Sequence, residues 1–154
     1  MERKPLSALV AHRLLKTWVV MDMLELPLPP RSFSVLITTP RREYRDVFSR
    51  AFEPPEFETI FAPTPMEAID IALERAVDLL VADSDLGGMT GVEIIRVIHG
   101  CVPTIPSILL GVDLTKEERI EALVNDVQTV IPKPPNYSIL KSVTRQILAR
   151  RYLV

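Results

Sequence analysis

From residue 33 onward the chain is punctuated in one regular way. Short apolar runs of strand length alternate with longer segments of helical period, and helix-start signals mark the joins. Residues 33–38, 57–61, 79–82, 107–112 and 129–131 are the five runs. Each is bounded by turn residues and followed by a helical pattern, the mark of a buried parallel strand feeding a crossover helix. Thr64-Pro65-Met66-Glu67, Thr90-Gly91-Val92-Glu93 and Thr115-Lys116-Glu117-Glu118 read as capping boxes. Thr39, with Pro40 in the first turn, and Asn136 are expected to cap the other two helices. The spacing puts Tyr44, Val47, Phe48 and Ala51 inward on the first helix, and the fourth carries Ile120, Leu123 and Val124. On the last helix it puts Ile139, Leu140, Val143, Ile147 and Leu148 inward. Five strands alternating with five helices predict an α/β fold, a parallel sheet covered on both faces with right-handed crossovers. The flavodoxin-like strand order 2-1-3-4-5 fits the length.

Before this alternation stands a different segment. Leu6, Val10, Leu14 and Trp18 recur every four residues, so residues 1–26 read as a helical extension, ended by Pro27, Pro29 and Pro30. The expected division is an N-terminal helix and Pro-rich linker over 1–31 and a domain over 32–154. So apolar a helix either packs on the domain or meets a partner, a second copy of the chain included. His12, Arg13, Lys16, Asp22 and Glu25 interrupt it, which argues against a membrane span, and no cleavage pattern marks a signal peptide. A chain of 154 residues buries enough surface to need no disulfide or metal staple. The single cysteine, Cys101, fits a cytoplasmic protein and reads as a buried structural thiol. A net charge of −2 gives no pull toward nucleic acid or anionic membrane. His12 and His99 have no Cys or acid at ligand spacing, so no zinc site is read.

Open parallel sheets place their chemistry at the carboxyl ends of the strands. In the expected strand order the loops after the first and third strands share one crevice, bordered by those after the fourth and fifth. Thr38, Thr39, Asp83, Gly111 and Lys133 therefore surround one concavity. The first loop, Thr38-Thr39-Pro40, has no glycines to cradle a phosphate-bearing cofactor, which argues against a flavin-binding protein.

Asp78-Leu79-Leu80-Val81-Ala82-Asp83, followed by Gly88-Met89-Thr90-Gly91-Val92-Glu93, resembles the phosphoacceptor segment of response-regulator receiver domains. Lys133-Pro134 resembles the lysine–proline pair of that family, whose peptide bond is cis. The likeness covers about residues 32–150, judged by the strand–helix register. It implies an aspartate, here Asp83, that attacks a phosphoryl donor, and a lysine, here Lys133, that binds a phosphoryl oxygen. It also implies a magnesium ion held partly by two acids that end the first strand. Those two acids fall on Thr38 and Thr39. The switch hydroxyl falls on Gly111, and the switch aromatic on Val130. Scaffold positions match while metal-binding and switching positions do not, so the resemblance implies a degenerate receiver, or pseudo-receiver, in which Asp83 and Lys133 form a structural salt bridge.

The leading expectation is a non-enzymatic signalling module of a two-component or phosphorelay system. It would dock proteins without phosphorylation, carry no cofactor, and pair with a histidine kinase or downstream effector. Its candidate surfaces are the last two helices with the fifth strand, and the N-terminal helix, either of which offers a homodimer contact. The alternative is a Mg2+-dependent phosphoacceptor at Asp83, with Asp83 and Asp85 as a makeshift cation site.

Overall fold

The structure, a computed structural model, describes Leu28 and residues 31–152. The expected N-terminal helix, with Leu6, His12 and Trp18, lies outside the described residues. The strands are β1 (Phe33–Thr38), β2 (Phe57–Ala62), β3 (Leu79–Asp83), β4 (Ser107–Leu110) and β5 (Val127–Ile131). They form one parallel sheet in the order β2-β1-β3-β4-β5. The helices are α1 (Arg45–Ala51), α2 (Pro65–Glu74), α3 (Gly91–Cys101), α4 (Lys116–Val124) and α5 (Tyr137–Tyr152).

Alternation along each strand divides the interior into two layers. Val35 and Ile37 of β1, Leu79 and Val81 of β3, and Ile108 and Leu110 of β4 face Phe48 and Phe52 on one side and Leu140 and Leu148 of α5. Leu36, Leu80, Ala82 and Leu109 face the other way, against Ala68 and Ala72 of α2 and Val92, Ile95 and Ile98 of α3. β3 is buried at all five residues, as expected of the central strand of a sheet covered on both faces. No described helix is long and apolar enough to cross a membrane.

Several local expectations are corrected. Thr39 does not cap a helix; a 3-10 turn at Arg42–Tyr44 comes first and α1 begins at Arg45. The Thr39 hydroxyl is instead spent on Asp83 and on the Arg41 amide. Thr90 and Thr115 close full capping boxes with Glu93 and Glu118, whereas at Thr64 only the bond from the Glu67 amide forms. β4 ends at Leu110, short of Val112, and β5 starts at Val127, ahead of Thr129, beside a register shift near Ser107.

On α4, Ile120 is 51% exposed, Leu123 76% and Val124 73%. Only Ala122 of this helix is buried. β5 is an edge strand, so it offers α4 little surface, and the small residue faces in while the large ones face water. Ile139 on α5 is exposed as well. Cys101, at the last position of α3, is exposed rather than buried.

Candidate functional site

Strand register assembles the site. Thr38 pairs with Ala82, so Thr39 and Asp83 are the next residues up on adjacent strands. Asp83 pairs with Leu110, which sets Gly111 level with Ser84. Leu110 pairs with Ile131, and the Gly111 amide donates to the Ile131 carbonyl, 2.9 Å away. Two residues beyond, Lys133 returns its side chain to Asp83. The Lys133-Pro134 bond is cis, as the resemblance implied, and Pro54-Pro55 is a second cis bond that the sequence did not announce.

Asp83 is completely buried and both carboxylate oxygens are engaged. Oδ1 accepts from Lys133 Nζ at 2.8 Å and from the Asp85 amide at 3.1 Å. Oδ2 accepts from the Thr39 hydroxyl at 2.8 Å and lies 3.8 Å from Arg41 Nε. A buried carboxylate is tolerable only when paired and hydrogen-bonded, and Lys133, itself mostly buried, is the main counter-ion. Gly91, the first residue of α3, is what lets that helix start so close: a Cβ there would stand 2.3 Å from the Asp83 carbonyl oxygen.

The other expected positions divide. Thr39 joins the cluster. Thr38 is equally buried, yet its hydroxyl has no hydrogen-bond partner. Asp85 turns its carboxylate to its own loop, accepting from the Gly87 amide at 3.1 Å, with Gly87 at φ +88. At Gly111 a Cβ would meet Leu114 Cδ2 at 3.0 Å and Ser84 Cβ at 3.2 Å, so a restored hydroxyl side chain would have to displace them. Val130 is 39% exposed. His99 bridges elements: Nδ1 lies 2.9 Å from the Asn125 carbonyl oxygen, and Nε2 lies 2.8 Å from that of Ile105 and 2.9 Å from Ser107 Oγ.

The residues do not fit a divalent ion of the magnesium class. Such an ion wants oxygen donors with negative charge, because it dehydrates reluctantly. Among the described residues no second carboxylate touches Asp83, whose own oxygens already face the Thr39 hydroxyl, the Asp85 amide, Lys133 and Arg41. Among the described residues no group of three His, Cys, Asp or Glu side chains is placed to hold a metal.

Sequence reasoning missed Arg41, which reads as surface of an early helix. The available signal was a basic residue two positions after a pair of neutral residues standing where acids were expected.

A family model described as "Response regulator receiver domain" matches residues 35–145. Among solved structures the chain is similar to a CheY-like receiver domain protein from Methanospirillum hungatei JF-1. The identity is 21% and the TM-score 0.72, over 77% of this chain and 95% of that one. It is also similar to the signal receiver domain of an HD domain-containing protein from Pseudomonas fluorescens Pf-5, at 21% identity and TM-score 0.73, over 84% and 96% of the two chains. A third is the receiver domain of a signal transduction histidine kinase from Syntrophus aciditrophicus, at 21% identity and TM-score 0.69, over 79% and 94%. No curated protein matches the chain.

Proposed function

The chain belongs to the response regulator receiver domain family, and on that premise we propose that it is a pseudo-receiver, a module of two-component signalling that docks proteins without waiting for phosphorylation. The observation that carries this reading is the state of Asp83. Its carboxylate is fully buried, both oxygens are bonded, and the two residues ending the first strand and its loop are Thr38 and Thr39. A nucleophilic carboxylate approaching a phosphoryl anion needs its charge screened and an oxygen free. Here both oxygens already accept hydrogen bonds, Oδ1 from Lys133 and the Asp85 amide and Oδ2 from Thr39, and neither position 38 nor 39 carries an acid to hold a screening ion.

The docking surface on this reading is α4 with β5 and the start of α5. Ile120, Leu123, Val124, Val130 and Ile139 are exposed apolar residues there. A histidine kinase or a downstream effector is the partner class, consistent with a relative that is itself the receiver of a histidine kinase. Residues 1–31 as an appended segment, residues 32–154 as the receiver domain, the absence of an enzymatic role and a cytoplasmic setting belong to the same proposal.

The second reading, a Mg2+-dependent phosphoacceptor, draws on the 2.8 Å Lys133–Asp83 contact, which would place a lysine beside an acyl phosphate. Incubation with a small-molecule phosphodonor and Mg2+, then intact-mass measurement, separates the two. No increment is expected. A phosphate-sized gain that disappears in Asp83→Asn establishes the second reading instead.

A further inference from the structure

We propose that Arg41 is the resident cation of the Asp83 pocket, holding the place and the charge that a divalent ion would otherwise supply. This rests on the pseudo-receiver reading and gives it a physical cause. Thr39 fixes Arg41 at the backbone, because the hydroxyl that donates to Asp83 Oδ2 also accepts from the Arg41 amide at 3.1 Å. Arg41 is extended at φ −90 and ψ 101 just ahead of the 3-10 turn, and its side chain, 43% exposed, reaches Asp83 from the solvent side. There Nε lies 3.8 Å from Asp83 Oδ2, Nη1 lies 3.9 Å from Glu43 Oε2, and the guanidinium stands 6.0 Å from the Tyr44 ring centroid. The carboxylate thus has Lys133 on one oxygen and Arg41 on the other, one negative charge against two positive. An incoming dication would meet a carboxylate that already faces two cations, and would have to compete with Arg41 and Thr39 for Oδ2. Guanidinium suits the position because it is always charged and more weakly hydrated than an ammonium.

The test is a set of thermal melts in EDTA and in about 10 mM MgCl2, where any ion that binds only the folded state raises the midpoint. Arg41→Glu is the informative variant. A glutamate oxygen stands as many bonds from the backbone as arginine Nε, so the change sets a second carboxylate beside Asp83. Wild type and Arg41→Lys are expected to melt alike in both buffers. Arg41→Glu is expected to melt lower in EDTA and to gain about 2–4 °C or more in MgCl2, a gain that Asp83→Asn removes. A wild-type midpoint that rises with MgCl2, or an Arg41→Glu midpoint that ignores it, overturns the proposal. Should Arg41→Glu not fold in either buffer, the uncharged Arg41→Gln replaces it. A midpoint equal to that of wild type then overturns the proposal, and a drop of about 2 °C or more supports it. A flat Arg41→Glu melt leaves the functional reading standing, whereas phosphate on the wild-type chain overturns that reading.

Discussion

Thr38 and Thr39 are neighbours with opposite circumstances. The Thr39 hydroxyl holds a buried carboxylate, while the Thr38 hydroxyl is buried with no hydrogen-bond partner. An unsatisfied buried donor costs about 1–3 kcal/mol, and valine has the same shape without it. Thr38→Val is therefore expected to stabilise the protein by roughly 1 kcal/mol, read as a higher urea midpoint with unchanged slope; a loss of stability would mean that the hydroxyl is satisfied in solution. Lys133 is the converse case. Lys133→Met removes the main counter-ion of a carboxylate with no exposed surface, and breaking such a pair costs about 3–5 kcal/mol. Adding Asp83→Asn should recover part of that loss, because the amide needs no counter-charge. Equal destabilisation in the single and double variants would place the cost in packing rather than charge.

At the scale of elements, the start of α3 lies against the end of β3, and Gly91 is the reason it can. A Cβ at that position would sit 2.3 Å from the Asp83 carbonyl oxygen and 2.6 Å from Leu109 Cδ1. Gly91→Ala is expected to cost at least about 1–3 kcal/mol, the usual range for overpacking, even though alanine is the better helix former. A gain in denaturation midpoint would show that α3 shifts freely. The capping box at Thr90 made this helix readable from sequence, but the reason for a glycine at its first position lies in the strand behind it. That division recurs. Parallel strands read well because β3 is buried on both faces and so is continuously apolar. Thr90 and Thr115 read well because a capping box is a local bond pattern. The faces of α4 did not, because Ile120, Leu123 and Val124 keep helical spacing whichever way they point. Only the narrowness of the sheet edge beneath decides that Ala122 goes inward. At the site, Asp83 and Lys133 were legible from strand ends. Arg41 was not, because its approach depends on a loop bond to Thr39 rather than on any periodicity.

Across the whole molecule the first strand and the last helix close on each other at the end of the sheet away from Asp83. The Tyr152 ring packs on Phe33 with centroids 5.6 Å apart, and its hydroxyl donates to the Asp78 carbonyl at 3.1 Å. Arg31 lies over both rings and pairs with Asp78, 3.2 Å away. The phenol is harder to ionise here than its ordinary value of 10.0, first because burial disfavours the phenolate and then because Asp78 repels it. Arg151 and Arg31 oppose the shift without cancelling it. The unfolded chain gives up this proton near pH 10 and the folded chain holds it to higher pH, so unfolding releases a proton in that window. The stability tied to the neutral phenol is complete below about pH 10 and is lost as pH rises through the raised folded value. Tyr152→Phe isolates the effect. At neutral pH it should be less stable by about 1 kcal/mol, the net value of the lost hydrogen bond. Urea titrations from about pH 8 to pH 11 should then show the gap between wild type and Tyr152→Phe narrowing, since only the wild type carries the ionisation. A gap that stays constant across that range would mean that the ring reaches water freely and that the closure of β1 on α5 is looser than the contacts among Phe33, Asp78 and Tyr152 require.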